Sequence, residues 1–115
     1  SAGFAYLRCK ELDPLTLDDD LTAAAALSVL EAHHGLPLTV WKSGDAFAVH
    51  ESEDMTLILV DRWSENVRQS IEPVLIRAKE CFLYAFAPGQ VDGLPPDANV
   101  EVRSVRDTLK RLYAA

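Results

Sequence analysis

The sequence predicts an α/β fold: a single mixed sheet with a hairpin-meander part and a parallel βαβ part, covered by three helices. Three observations carry that reading. Residues 55–61 (MTLILVD) and 81–87 (CFLYAFA) are apolar almost throughout, as strands buried on both faces are. The stretch between them repeats apolar residues at helical spacing, so strand, helix and strand form a right-handed crossover between parallel neighbours. Ahead of it, short strand-like segments are separated by Ser43-Gly44-Asp45 and Ser52-Glu53-Asp54, residue types that reverse a chain.

Taken in order, residues 4–9 form a first short strand, led by Phe4 and Tyr6. Residues 11–20 are a loop, and Asp18, Asp19 and Asp20 favour the positive end of the helix that follows over 21–34. Ala23, Ala26, Leu27 and Leu30 share one face of that helix. Gly35 suits its terminus and Pro37 blocks its continuation. Strands are expected at 38–42, 46–51 and 55–61. Ser64 caps a helix to about residue 79, with Val67, Ile71, Val74, Leu75 and Ala78 on one stripe and a kink or break near Ile71 because of Pro73. Residues 81–87 form the next strand, and 88–99, rich in proline and glycine, a loop. Residues 100–103 form a last strand. Ser104 caps a final helix whose buried stripe is Val105, Leu109 and Leu112, with Asp107 in a capping-box-like position.

At 115 residues, 49% hydrophobic and 25% charged, the chain fits one domain spanning 1–115 with a core of its own. No run approaches ~18 consecutive apolar residues, so no membrane partner is expected. The formal charge of −7 argues against a free-standing nucleic-acid binder. Arg103, Arg106, Lys110 and Arg111 at the basic end are too few for a DNA footprint. Cys9 and Cys81 lie in separate apolar runs and read as reduced core residues of a cytoplasmic protein. Ser1-Ala2 reads as a cloning remnant, and the apolar start at Gly3 reads as the middle of something longer.

Motifs for chemistry are sparse. His33-His34 are adjacent, so their rings point apart rather than at one metal ion. A nuclease of the restriction-endonuclease type needs an acid and then Asp/Glu-x-Lys on a strand; the closest triplet is Glu101-Val102-Arg103, with arginine in place of lysine. A small Mg²⁺-dependent nuclease built on Asp61 with Glu51, Glu53 or Asp54 is therefore the alternative reading, alongside a ligand-binding regulatory domain. Glycine-rich phosphate loops and a nucleophile elbow are absent from the sequence. Asp61, Arg62 and Trp63 follow a probable central strand, where ligands of open α/β sheets gather. Asp61 can equally cap the next helix or pair with Arg62 or Arg68. Trp63 and, less strongly, Trp41 are candidate interface anchors, although tryptophan more often belongs to a core or its edge. Asp61, Arg62, Trp63 and Trp41 form the candidate interface or strand-end site. No catalytic, cofactor-binding or metal-binding residue is assigned.

Gly3-Phe4-Ala5-Tyr6-Leu7-Arg8 resembles the Gly-Phe-x-Tyr/Phe-x-Arg/Lys strand near the C-terminal end of adenine-specific DNA methyltransferases from bacterial type III restriction–modification systems. A similar order follows: a helix over 21–34, the lead-in Gly35-Leu36-Pro37-Leu38, a hairpin, an apolar strand ending in Asp61, an amphipathic helix, the strand after Lys79, Val100-Glu101-Val102 and a last helix. The chain departs from the pattern at Ala87-Pro88-Gly89-Gln90, where members often carry an Asp-Ser-Gly-Phe-like turn. The resemblance implies a C-terminal accessory domain. In such enzymes the Asp-Pro-Pro-Tyr loop and the S-adenosylmethionine loop lie upstream, so the cofactor belongs to the presumed parent and this chain carries none. It also implies protein partners, either another methyltransferase subunit or the restriction subunit, with DNA reached only through the parent.

Overall fold

The computed structural model describes residues 23–36, 39–40 and 47–114. The expected strand at 4–9, the loop with Asp18, Asp19 and Asp20, Cys9, Trp41 and the turn Ser43-Gly44-Asp45 lie outside the described residues. In chain order the elements are α1 (Ala23–His34), β1 (Thr39–Val40), β2 (Phe47–Glu51), β3 (Thr56–Val60), α2 (Glu65–Arg77), β4 (Cys81–Ala85), a 3₁₀ turn (Pro88–Gln90), β5 (Val100–Ser104) and α3 (Val105–Ala114). The expected mixed sheet and three helices are thus present. The described residues divide into two compact units, one holding α1 and α3, the other the five strands and α2.

In the first unit, α1 ends where the alanine-rich pattern ends. Gly35 takes the left-handed conformation at φ +68°, and its N–H and that of Leu36 both donate to the Glu31 carbonyl, at 2.8 and 3.3 Å. A side chain on residue 35 strains this backbone, which is why glycine closes the helix. Ala26, Val29 and Leu30 of α1 and Val105 and Leu109 of α3 are buried.

The second unit is the sheet, with strand order β1-β2-β3-β4-β5. β1, β2 and β3 form an antiparallel meander, and β3, β4 and β5 run parallel. The β2–β3 turn is tight. Ser52 N–H donates to the Met55 carbonyl at 3.1 Å, and the Ser52 hydroxyl both donates to that carbonyl and accepts from Met55 N–H. This double engagement fixes the register that sets Glu51 opposite Thr56 and Phe47 opposite Val60.

β3 is buried at every residue, as its unbroken apolar run predicts. Phe47, Val49, Ile58, Val60, Cys81, Leu83 and Ala85 share one face and pack with Val67, Ile71, Val74 and Leu75 of α2. Ala48, Leu57, Leu59 and Tyr84, on the alternate positions, are buried as well. α2 begins as the sequence predicts, with the Ser64 hydroxyl accepting from Val67 N–H at 3.2 Å. It runs through Pro73 as one helix, so of the kink or break expected near Ile71 there is no break. Pro73 sits on the exposed side, where water can satisfy the carbonyl that loses its partner, while Ile71, Val74 and Leu75 pin both halves of the helix to the sheet.

The connection from β4 to β5 contains no α-helix beyond the short 3₁₀ turn. Val91, Leu94 and Ala98 of that segment pack on the same cluster as α2, so it covers the sheet beside the helix. Its far end is tied down twice: Asn99 donates its side-chain amide to the Lys79 carbonyl at 2.8 Å, and Cys81 N–H donates to the Asn99 carbonyl at 3.0 Å.

Candidate functional site

The parallel register aligns Val60, Ala85 and Ser104, so Asp61 emerges at the carboxyl end of the sheet, where the topology places it. Asp61 and Arg62 are exposed. Asp61 does not cap α2, because Ser64 does, and Arg68 is taken by Glu65 at 2.5 Å and Glu72 at 3.1 Å. These two carboxylates hold the Arg68 guanidinium above its ordinary pKa, and Arg68 in turn lowers that of Glu65.

Trp63 is half-buried, packs on the sheet–α2 core, and donates its indole N–H to Asp92 Oδ1 at 3.2 Å. Next to Asp92, Gly93 has φ +68°, and a Cβ placed there meets Arg68 Cδ at 2.9 Å. Two adjacent residues of the β4–β5 connection therefore lie against α2 and its lead-in. Trp63, Val91 and Leu94 pack, partly buried, on the cluster formed by the sheet and α2.

The carboxylates of the nuclease alternative do not converge. Glu51, Glu53 and Asp54 lie at the hairpin end of β3, and Asp61 lies past its other end. Five strand residues at ~3.3 Å each put roughly 16 Å between the two ends, far beyond the 2.0–2.6 Å reach of oxygen ligands around one cation. Glu51 is instead bound by Arg77, which donates through Nε and through Nη2, the latter at 2.8 Å to Oε1. That pairing lowers the Glu51 pKa and raises that of Arg77. Among the described residues no group of three or more His, Cys, Asp or Glu is arranged to hold a metal ion. The His33 and His34 rings stand edge-to-face, with centroids 4.9 Å apart.

Cys81 is a free thiol with 1% exposure, and burial pushes its pKa up to about 12. It behaves as a core hydrophobe and has no nucleophilic character at neutral pH.

One constellation was not visible from the sequence. The β4–β5 register sets Phe82 beside Glu101 and Tyr84 beside Arg103. The Arg103 guanidinium lies 4.1 Å from the Phe82 ring centroid and 5.8 Å from that of Tyr84. It donates to the Tyr84 hydroxyl at 3.0 Å and pairs with Glu101. Burial opposes its charge, yet the hydrogen bonds to Glu101 and Tyr84 leave its pKa raised. The signal in the sequence was the two-residue spacing in Phe82-Leu83-Tyr84 and Glu101-Val102-Arg103, which becomes informative only once β4 and β5 are known to be neighbours.

In comparison with known proteins, no family model, curated protein sequence or solved structure matches this chain.

Proposed function

We propose that the chain is a non-catalytic accessory domain of a type III restriction–modification DNA adenine methyltransferase, serving subunit assembly in the cytoplasm. The family reading rests on the sequence resemblance. What supports the non-catalytic half is the packing after β3: Trp63 is held by Asp92 and lies, with Val91 and Leu94, against the sheet–α2 core. The separation of Asp61 from Glu51, Glu53 and Asp54 supports it further, since carboxylates at opposite ends of β3 do not share one Mg²⁺ ion. No described helix is long and apolar enough to cross a membrane. S-adenosylmethionine and the methylated base belong to the parent enzyme in this reading, and the domain contributes protein surface.

The test uses the chain and the enzyme it comes from. The isolated chain is expected to bind no S-adenosylmethionine by calorimetry and to transfer no methyl group to DNA. Removing the segment from the parent is expected to leave cofactor binding in place and to lower the subunit stoichiometry measured by light scattering. Methyl transfer by the chain alone, or unchanged stoichiometry after removal, overturns the proposal.

A further inference from the structure

β5 is the last strand in the sheet order, paired through β4 on one side only among the described residues. None of its five residues is buried, in contrast to β3. Its orientation follows from one hydrogen bond. Cys81 N–H donates to the Asn99 carbonyl, and Cys81 lies opposite Val100. In a parallel ladder that arrangement turns the N–H and C=O of residues 99, 101 and 103 toward β4. The N–H and C=O of Val100 and Val102 therefore point away from the sheet. Such a row of outward groups is a template for another strand.

We propose that this edge pairs with the β5 of a second copy of the chain, antiparallel, about a two-fold axis at Val102. It deepens the assembly reading above, on which its biological meaning rests, by naming the partner and the surface. Two independent features of the strand select the same register. A two-fold at Val102 places the outward N–H and C=O of Val102 opposite those of the partner's Val102, a hydrogen-bonded pair. It also sets Glu101 directly opposite the partner's Arg103, and Arg103 opposite the partner's Glu101. These are non-hydrogen-bonded positions, where facing side chains come closest. Shifting the axis by one residue sets Glu101 against Glu101 or Arg103 against Arg103, which like charges oppose. Arg103 is already held in place over Phe82 by the Tyr84 hydroxyl, so it loses little further freedom on pairing. The contact is isologous and closes at two copies, giving one continuous sheet across the dimer.

The experiment is sedimentation equilibrium of the full 115-residue chain and of charge variants, with circular dichroism confirming each fold. The wild type is expected to be a dimer. Glu101→Arg creates two Arg–Arg pairs and Arg103→Glu two Glu–Glu pairs, and each is expected to raise the dimer dissociation constant by at least about tenfold. Because Arg103 also stacks within its own subunit, Glu101→Arg at an exposed position is the cleaner of the two. Mixing the two variants is expected to yield a heterodimer, since each strand then faces its opposite charge, an outcome that damage to the fold cannot produce. A wild type that stays monomeric, as charges that merely guard an edge would make it, overturns the proposal. So does a dimer indifferent to these charges, or variants that fail to pair on mixing. Any of these outcomes leaves the absence of methyl transfer, and assembly through another surface, untouched.

Discussion

Gly93→Ala probes the contact that lays the β4–β5 connection on α2, and its cost can be worked from two terms. The first is conformational: φ at residue 93 is +68°, and an L-residue held there loses about 1 kcal/mol. A methyl group also reduces the freedom of the unfolded chain, but this stabilises only where the native backbone accepts it. The second term is steric. The new Cβ falls 2.9 Å from Arg68 Cδ, so the side chain must give by several tenths of an ångström. Arg68 is not a loose lysine-like arm: Glu65 and Glu72 hold its head, so moving its stem disturbs both ion pairs. Together the terms come to about 1–2 kcal/mol. With a urea slope of about 1.5 kcal/mol/M, the unfolding midpoint of the sheet unit falls by roughly 0.7–1.3 M. Trp63 fluorescence follows that unit, since Trp63 packs on its core. Gly89→Ala is the matched control, because nothing lies within 4 Å of a Cβ there and its φ is ordinary. Removing the arm with Arg68→Ala is expected to relieve the steric part, so the double variant costs less than the sum of the singles by about 0.5 kcal/mol or more. Equal midpoints for Gly93→Ala and Gly89→Ala refute the account of residue 93.

Three further outcomes are expected. Leu83→Ala, at a side chain with 0% exposure, costs about 2–5 kcal/mol in urea unfolding, whereas Ile76→Ala, at 64% exposure, stays within about 0.5 kcal/mol. The pKa of Glu51 is lowered in the folded protein by Arg77, so its contribution is complete above the unfolded carboxylate value and is lost as pH falls through the lower folded one. For this solvent-screened pair the effect is small, read as a shallower loss of stability between roughly pH 5 and pH 3 in Glu51→Gln and Arg77→Met than in the wild type. Cys81, with its thiol raised to about 12 and almost no exposure, is expected to resist iodoacetamide in the folded protein and to react in urea, followed by peptide mass spectrometry. Labelling at the native rate of a free thiol contradicts the burial argument.

Much of the fold was legible because each element carries a local cause. Gly35 closes α1, Ser64 opens α2, and the unbroken run in β3 marks a strand covered on both faces. Whether Pro73 would break α2 was not legible, because its position on the solvent side depends on how the helix docks, which spacing alone weighs poorly against the lost hydrogen bond. The candidate site was legible in place but not in content. Sequence pattern set Asp61, Arg62 and Trp63 at the end of a central strand, where they are. It could not show that Asp92, 29 residues from Trp63, comes back to take the indole N–H and that Val91 and Leu94 pack on the same core. Contacts of that separation are fixed by the path of a connection, and irregular connections leave little periodic trace.

The triplet Glu101-Val102-Arg103 shows how the same spacing acquires different chemistry from its neighbours. On a strand, residues two apart share a face, which is what allows an acid and a base to flank one metal ion in a nuclease. Here the facing strand supplies Phe82 and Tyr84 rather than a second carboxylate. The guanidinium accordingly settles over a ring, and it donates to the Tyr84 hydroxyl and to Glu101. The same side-chain pair on the last of the described strands becomes a pattern of alternating sign along an edge where the N–H and C=O of Val100 and Val102 point away from β4. An acid and a base two residues apart read identically in either direction once a two-fold is placed at the residue between them. Val102 occupies that position, half-buried against the core, with its N–H and C=O directed away from β4. A strand of this kind carries in five residues both the hydrogen-bonding register and the charge code for meeting itself.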